Sequence, residues 1–287
     1  MLPEEVLQQI KRIEINTRKL VDSMFMGQYK TAFKGQGMTF ADFREYVPGD
    51  DVRAISWPLT ARTGKTFIKK FEEERELTIL LCVDISGSTD FGSQKNFKGE
   101  IITYLSAVLA YAAIKNNDTV GLLLFTDRVE HYVPPRKGRN HVQRLLRDLV
   151  YFKPRGSGTN IGEVLRYVTG ILKRKASVFI FSDFMDDDFD QAMRVLGRKH
   201  DIVAGVVTDP LETALPKMGL VEFIDPESGE QVLVDTSSNF FQRDFKSEIQ
   251  KRISKRDRLL RVSQADRLDV STDTDWVKAL LAYFRKK

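Results

Sequence analysis

The stretch LTILLCVDISGSTDFGS (residues 77–93) begins apolar and ends in acid, hydroxyls and glycine, with Asp84, Ser86 and Ser88 at alternate positions. In extended chain, alternate side chains project to one side, and Gly87 allows a tight path between them. One carboxylate and two hydroxyls therefore face a common point. These are hard oxygen donors, suited to Mg²⁺ or Mn²⁺ far better than to zinc. Two later loops carry matching groups. GSGTNIGEV (156–164) sets Thr159 just ahead of a helical pattern, where an N-cap hydroxyl is the plainest reading. FSDF (181–184) sets Asp183 at the end of another apolar run. Singly these are a strand end, a cap and a turn aspartate. Together, Asp84, Ser86, Ser88, Thr159 and Asp183 predict a divalent-metal site, provided the strands that carry them lie side by side.

The elements that must position them follow from periodicity. Residues 77–83 read as a core strand buried on both faces, and apolar runs at 119–125, 177–182 and 202–207 read likewise. A shorter strand is expected near 129–133. Helical patterns lie near 96–115, 139–150, 160–173 and 188–198. Strands alternating with helices at this spacing predict an α/β fold, Rossmann-like and doubly wound, with a mainly parallel sheet covered on both faces. In such sheets ligands sit beyond the carboxyl ends of the strands, where the polar cluster stands. Residues 1–76 read as an N-terminal region packed on this core. It consists of an amphipathic helix at 3–25, an irregular Gly-rich tract and an extended lead-in at 65–76. After the core at 77–208 come a hairpin at 219–235 turning at 225–230, a basic helix near 240–258, a short strand near 268–270 and a last helix, all within a unit ending at 287.

Composition sets further bounds. The chain has 287 residues, of which 42% are hydrophobic and 30% charged, the balance of an ordinary globular protein. Its single cysteine, Cys82, lies in an apolar strand, so no internal disulfide forms and core filling is the expected role. No apolar run approaches the roughly 18–20 residues that span a bilayer. The charged N-terminus lacks a signal-peptide core, and the expected location is cytoplasmic. Residues 243–261 hold eight Lys/Arg against three Asp/Glu, which accounts for the whole net charge of +5. A diffuse basic field suited to nucleic acid is absent, and nucleic acid is disfavoured as a partner.

The five-residue constellation resembles the metal-ion-dependent adhesion site (MIDAS) of von Willebrand factor type A (vWA) domains. The likeness covers roughly residues 77–208, with the D-x-S-x-S run, the loop Thr and the later Asp in the family's order. It implies a vWA-like fold in which Ser86 and Ser88 ligate the ion directly, Thr159 does so directly or through water, and Asp84 and Asp183 hold coordinating waters. Largely neutral direct ligands would leave the ion much of its charge, so an open position would attract a partner's carboxylate.

A second resemblance is wider. Phe40, Arg44, Tyr46, Pro48-Gly49-Asp50-Asp51, Arg53, Trp57, Ala61-Arg62 and Phe71-Glu72-Glu73-Glu74-Arg75 look like the recurring features of the bacterial "domain of unknown function 58" family. The ending DTDWVKALLAYFRKK is similar too. Ser56 stands where that family commonly has aspartate before the Trp, and Thr89 where Met is frequent. The resemblance implies a short form without the membrane helices many members carry, and a role as adaptor or partner of a MoxR-type AAA+ ATPase.

Other chemistries fare worse. Phosphotransfer with Asp84 as nucleophile wants a second carboxylate at position 86, which is Ser. RTGKT (62–66) lacks the earlier glycine of a phosphate loop, since position 59 is Leu, and GQG (35–37) lacks the third glycine of a dinucleotide fingerprint. His131, His141 and His200 have no ligand spacing and read as exposed. Asp186, Asp187 and Asp188 read as an N-terminal complement to the next helix. Arg44, Arg53 and Arg62 read as ion-pair partners of Asp50, Asp51 or Glu72–Glu74. The expected function is a non-enzymatic, divalent-metal-dependent protein-interaction module. The competing expectation is a metal-independent scaffold that binds through the N-terminal region or through the basic helix, with Lys251, Arg252, Lys255 and Arg256 as its contacts.

Overall fold

The computed structural model describes residues 4–32, 39–72, 76–90, 92, 97–224 and 231–287. The GQG turn at 35–37, Glu73 and Glu74 of the acidic run, and the hairpin turn at 225–230 lie outside them.

The N-terminal amphipathic pattern forms α1 (Glu4–Leu20), a π-turn (Val21–Phe25) and α2 (Met26–Ala32). A hairpin of β1 (Thr39–Glu45) and β2 (Phe67–Glu72) follows, and its connection carries the short α3 (Trp57–Thr63). Arg44 pairs with Asp50 at 2.6 Å, as its spacing suggested, while Asp51 accepts the Arg53 backbone N–H at 2.9 Å.

The alternating core begins at β3 (Thr78–Asp84) and continues through α4 (Lys98–Lys115), β4 (Thr119–Phe125), β5 (Val129–Arg136), α5 (Arg139–Tyr151), α6 (Ile161–Ile171), β6 (Ser177–Ser182), α7 (Asp190–Gly197) and β7 (Asp201–Thr208). Beyond it lie α8 (Pro210–Thr213), the hairpin β8 (Leu220–Ile224) and β9 (Gln231–Asp235), then α9 (Asn239–Val262), β10 (Asp266–Ser271) and α10 (Trp276–Lys286).

Six strands form one sheet in the order β10-β7-β6-β3-β4-β5, all parallel except the edge strand β5, which runs antiparallel to β4. This is the expected α/β, doubly wound, mainly parallel architecture, with the order of strands reversing between β3 and β6. The alternation of side chains divides the core cleanly. Ile79, Leu81 and Val83 face α1, α2, α4, α5 and α10, whereas Leu80 and Cys82 face α6, α7 and the end of α9. Both faces are covered, which is why the strands are apolar without interruption. Helix α4 is apolar on nearly every side because it lies between the sheet and the layer of α1 and α10. In that outer layer Phe25 meets Phe284 edge to face at 4.7 Å.

The three histidines are not exposed as their scatter suggested. His131 stacks on Phe152 and lies 3.1 Å from Asp148, and His141 Nε2 lies 2.8 Å from the Val120 carbonyl. His200 is buried, and its ring nitrogens have no hydrogen-bond partner among the described residues. Among the described residues no helix is long and apolar enough to cross a membrane.

Candidate metal site at the carboxyl end of the sheet

The order of strands reverses between β3 and β6, and Asp84 and Asp183 stand at the carboxyl ends of these two neighbouring strands. Asp84 is the last residue of β3 and is 1% exposed. Its Oδ1 accepts the Ser86 N–H at 2.9 Å, and its Oδ2 accepts the Ser182 hydroxyl at 2.7 Å. The first bond closes the turn after β3, and the second fastens β3 to β6. Burial, with the negative charge of Asp183 adding to it, pushes the Asp84 carboxyl up to about 7 against these hydrogen bonds. Two carboxylates in a dry site need a cation nearby.

After Asp84 the chain makes a single 3₁₀ turn (Gly87–Asp90), and Thr89 donates to the Ser86 carbonyl at 2.8 Å. This turn brings the Ser86 and Ser88 hydroxyl oxygens to 3.1 Å from one another. Such a separation is a hydrogen bond. It is also close to the edge, about 3 Å, of an octahedron with metal–oxygen bonds of ~2.1 Å, and shorter than calcium's longer bonds would set. The donor set and its spacing fit Mg²⁺ or Mn²⁺.

The loop carrying Thr159 is held against this turn, since Gly87 N–H donates to the Ser157 carbonyl at 3.1 Å. Glu130 organises it from below by accepting the backbone N–H groups of Arg155 at 3.1 Å and Gly156 at 2.8 Å. Gly156 has no room for a side chain, because a Cβ there would run into the Asp127 carboxylate and the Thr126 hydroxyl. Thr159 is half-buried, and the N-cap of α6 is its neighbour Asn160, which accepts the Glu163 N–H at 2.9 Å. The cap that was the plainer alternative to a metal role for Thr159 therefore belongs to Asn160. The acidic run also acts elsewhere than expected. Asp186 accepts the N–H of Ile161 at 2.7 Å and so serves the start of α6, while Asp187 pairs with Lys255 at 2.5 Å.

Asp183 is 8% exposed. Its Oδ1 accepts the Met185 N–H at 3.1 Å, and its Oδ2 lies 3.1 Å from the ammonium of Lys98. Lys98 opens α4, is 1% exposed, and also bonds Glu212, whose other oxygen accepts the Asp209 N–H at 2.9 Å. Burial works against the ammonium, but Asp183 and Glu212 outweigh it and hold the Lys98 pKa above its ordinary value. Arg256, from the basic helix, is 5% exposed and reaches the Asp183 carbonyl at 3.4 Å. That helix is thus not wholly a solvated face: Arg256 and Leu260 are buried because they pack beneath the loop after β6.

Lys98, Glu212, Ser182 and Glu130 were not singled out from sequence, and Arg256 was singled out only as a surface contact of the basic helix, whereas it is buried. Ser182 precedes Asp183 at a strand end and Asp209-Pro-Leu-Glu212 has the spacing of a capping box, so both carried a local signal. Lys98 carried none. Among the described residues no three His, Cys, Asp or Glu side chains gather as a metal cluster. A cavity of about 510 Å³ opens beside Asp84 and Thr89, walled by Ile13, Phe97, Tyr104 and Phe152.

Residues 42–255 match the family described as "Protein of unknown function DUF58". An uncharacterized protein of Mycobacterium tuberculosis is 26% identical over 279 residues, which is 96% of this chain and 87% of the relative. Among solved structures, the conserved hypothetical protein BatB from Bacteroides thetaiotaomicron is similar over 73% of this chain and 98% of its own, with 16% identity and a TM-score of 0.48. The SpRpn10 VWA domain is similar over 72% of this chain and 94% of its own, with 8% identity and a TM-score of 0.40.

Proposed function

The chain belongs to the family of proteins of unknown function DUF58, and from that premise we propose that it is a non-enzymatic protein-interaction module that recognises its partner through a divalent cation. The ion is Mg²⁺ or Mn²⁺. Ser86 and Ser88 hold it directly, Thr159 adds a third oxygen, and Asp84 and Asp183 anchor its waters. The observation that carries this reading is the pair of hydroxyls 3.1 Å apart beside two buried carboxylates. Neutral ligands leave the ion electrophilic, so the group it takes from a partner is a carboxylate. The neighbouring cavity, walled by Phe97, Tyr104 and Phe152 together with Glu100 and Lys153, offers that partner's adjacent side chain a place to pack. The partner class we propose is a MoxR-type AAA+ ATPase or its client.

The test is pull-down of a purified MoxR-type ATPase by the full chain in Mg²⁺ and in EDTA, repeated with Ser86→Ala/Ser88→Ala. Recovery in Mg²⁺ that is lost in EDTA and in the variant is the expected result. Equal recovery in every lane removes metal-mediated recognition.

A second reading keeps the interaction role without the metal. It is favoured by exposed apolar side chains away from the site, notably Trp57 on α3, Leu220 and Leu233 on the hairpin β8–β9, and Phe240 at the start of α9. Substituting Trp57 or the exposed Lys251 and Arg252, with the site intact, separates the two readings in the same pull-down.

A further inference from the structure

Resting on the metal-site reading, we propose that Lys98 is a resident counter-cation of that site, which holds Asp183 in place without a divalent ion and sets the affinity for that ion low. An ammonium that is 1% exposed is held in a protein interior only by close anions. Lys98 has two, Asp183 at 3.1 Å and Glu212. Neither is a chance neighbour. Glu212 is fixed by the Asp209 N–H, and Asp183 by the Met185 N–H on its other oxygen. The ammonium thus sits on the carboxylate at the end of β6, the strand beside the one that carries Asp84 and leads into the hydroxyl pair.

Charge counting gives the consequence. The carboxyls of Asp84, Asp183 and Glu212 gather beside two buried cations, the Lys98 ammonium and the Arg256 guanidinium, of which Lys98 bonds carboxylate oxygens of Asp183 and Glu212 while Arg256 reaches the Asp183 carbonyl. Removing the ammonium leaves those carboxyls one positive charge fewer and takes away a charge that repels the ion at short range. Lys98 therefore does two things at once. It keeps the carboxylates from repelling each other when the ion is absent, and it weakens the ion's hold when present. Lys98 reaches the site from the first residue of α4, so the same helix that fills the core also carries this charge.

The test is Mn²⁺ binding to the full chain, read from free Mn²⁺ by electron paramagnetic resonance, with Mg²⁺ calorimetry alongside. Lys98→Met is expected to tighten binding about tenfold or more and to lower the thermal midpoint of the metal-free protein. Lys98→Met with Glu212→Gln removes one charge of each sign and guards against misfolding, and it is expected to tighten binding as well. Lys98→Arg is expected to restore weak binding. A merely structural lysine would lower the midpoint without tightening binding. Unchanged or weaker binding in both Met variants, with wild-type binding abolished by Ser86→Ala/Ser88→Ala, overturns the counter-cation role and leaves the metal site standing. No Mn²⁺ binding in the wild type or in any variant overturns both.

Discussion

The loops above β3 and β6 and the hairpin β8–β9 follow opposite rules. The loops bury charge: Asp84, Asp183 and Lys98 are each under 10% exposed, and every one is hydrogen-bonded to an element far along the chain. The hairpin exposes hydrocarbon. Leu220, Ile224 and Leu233 share one face at 71, 59 and 67% exposed, and its ladder joins only its own two strands. Buried charge is tolerated where several elements converge to satisfy it, and such a place is rigid and specific. Exposed leucine on a two-stranded ladder adds nothing to the core and is left over for contact with something else.

The largest break in this comparison is Lys98→Ala. It strands the buried Asp183 carboxylate and the half-buried Glu212 carboxylate, and a cost of about 3–5 kcal/mol in urea unfolding is expected without metal. Mg²⁺ should recover part of that loss.

Next comes pH. The Asp84 carboxyl ionises at about 7 in the folded chain, against an ordinary 3.8. Between those values the folded state holds a proton that the unfolded state has released, so metal-free stability falls as pH rises through this window. A divalent ion favours the ionised form. The rise in thermal midpoint on adding Mg²⁺ should accordingly be greater at pH 8 than at pH 6. An equal rise at both would separate Asp84 from the ion.

Gly156→Ala should cost ~1–3 kcal/mol, because the new methyl meets Asp127 and Thr126. It should also weaken Mn²⁺ binding by shifting the Thr159 loop. The smallest effect belongs to the hairpin. Leu220→Ser and Leu233→Ser should each change stability by no more than ~0.5 kcal/mol, while partner recovery falls if that face is used.

How much of this was legible in the sequence follows from how local each signal is. The core strands were readable because burial on both faces leaves an unbroken apolar run, and 177–182 coincides with β6 to the residue. The positions of Asp84 and Asp183 were readable as the ends of such runs. Lys98 was not, since a lysine in the first turn of a helix looks like any solvated one. Its meaning comes from partners 85 and 114 residues away. Arg256 reads from sequence as one of four surface contacts on the basic helix, and its burial against the Asp183 carbonyl is hidden for the same reason, since its neighbours Lys255 and Arg252 are exposed. Thr159 reads from sequence as part of the metal site, with the cap of α6 as its plainer alternative; hydroxyl and amide caps are interchangeable in pattern, and backbone geometry gave the cap to Asn160.

The outer layer over α4 has a consequence for synthesis. Phe25 and Tyr29 precede the sheet in the chain, and Phe284, which they pack against, follows it. A growing chain can lay α1 on α4 early, but it cannot complete the roof over α4 until α10 has emerged from the ribosome. Until then part of the most apolar helix of the core stays uncovered, the kind of transiently exposed surface on which association competes with folding.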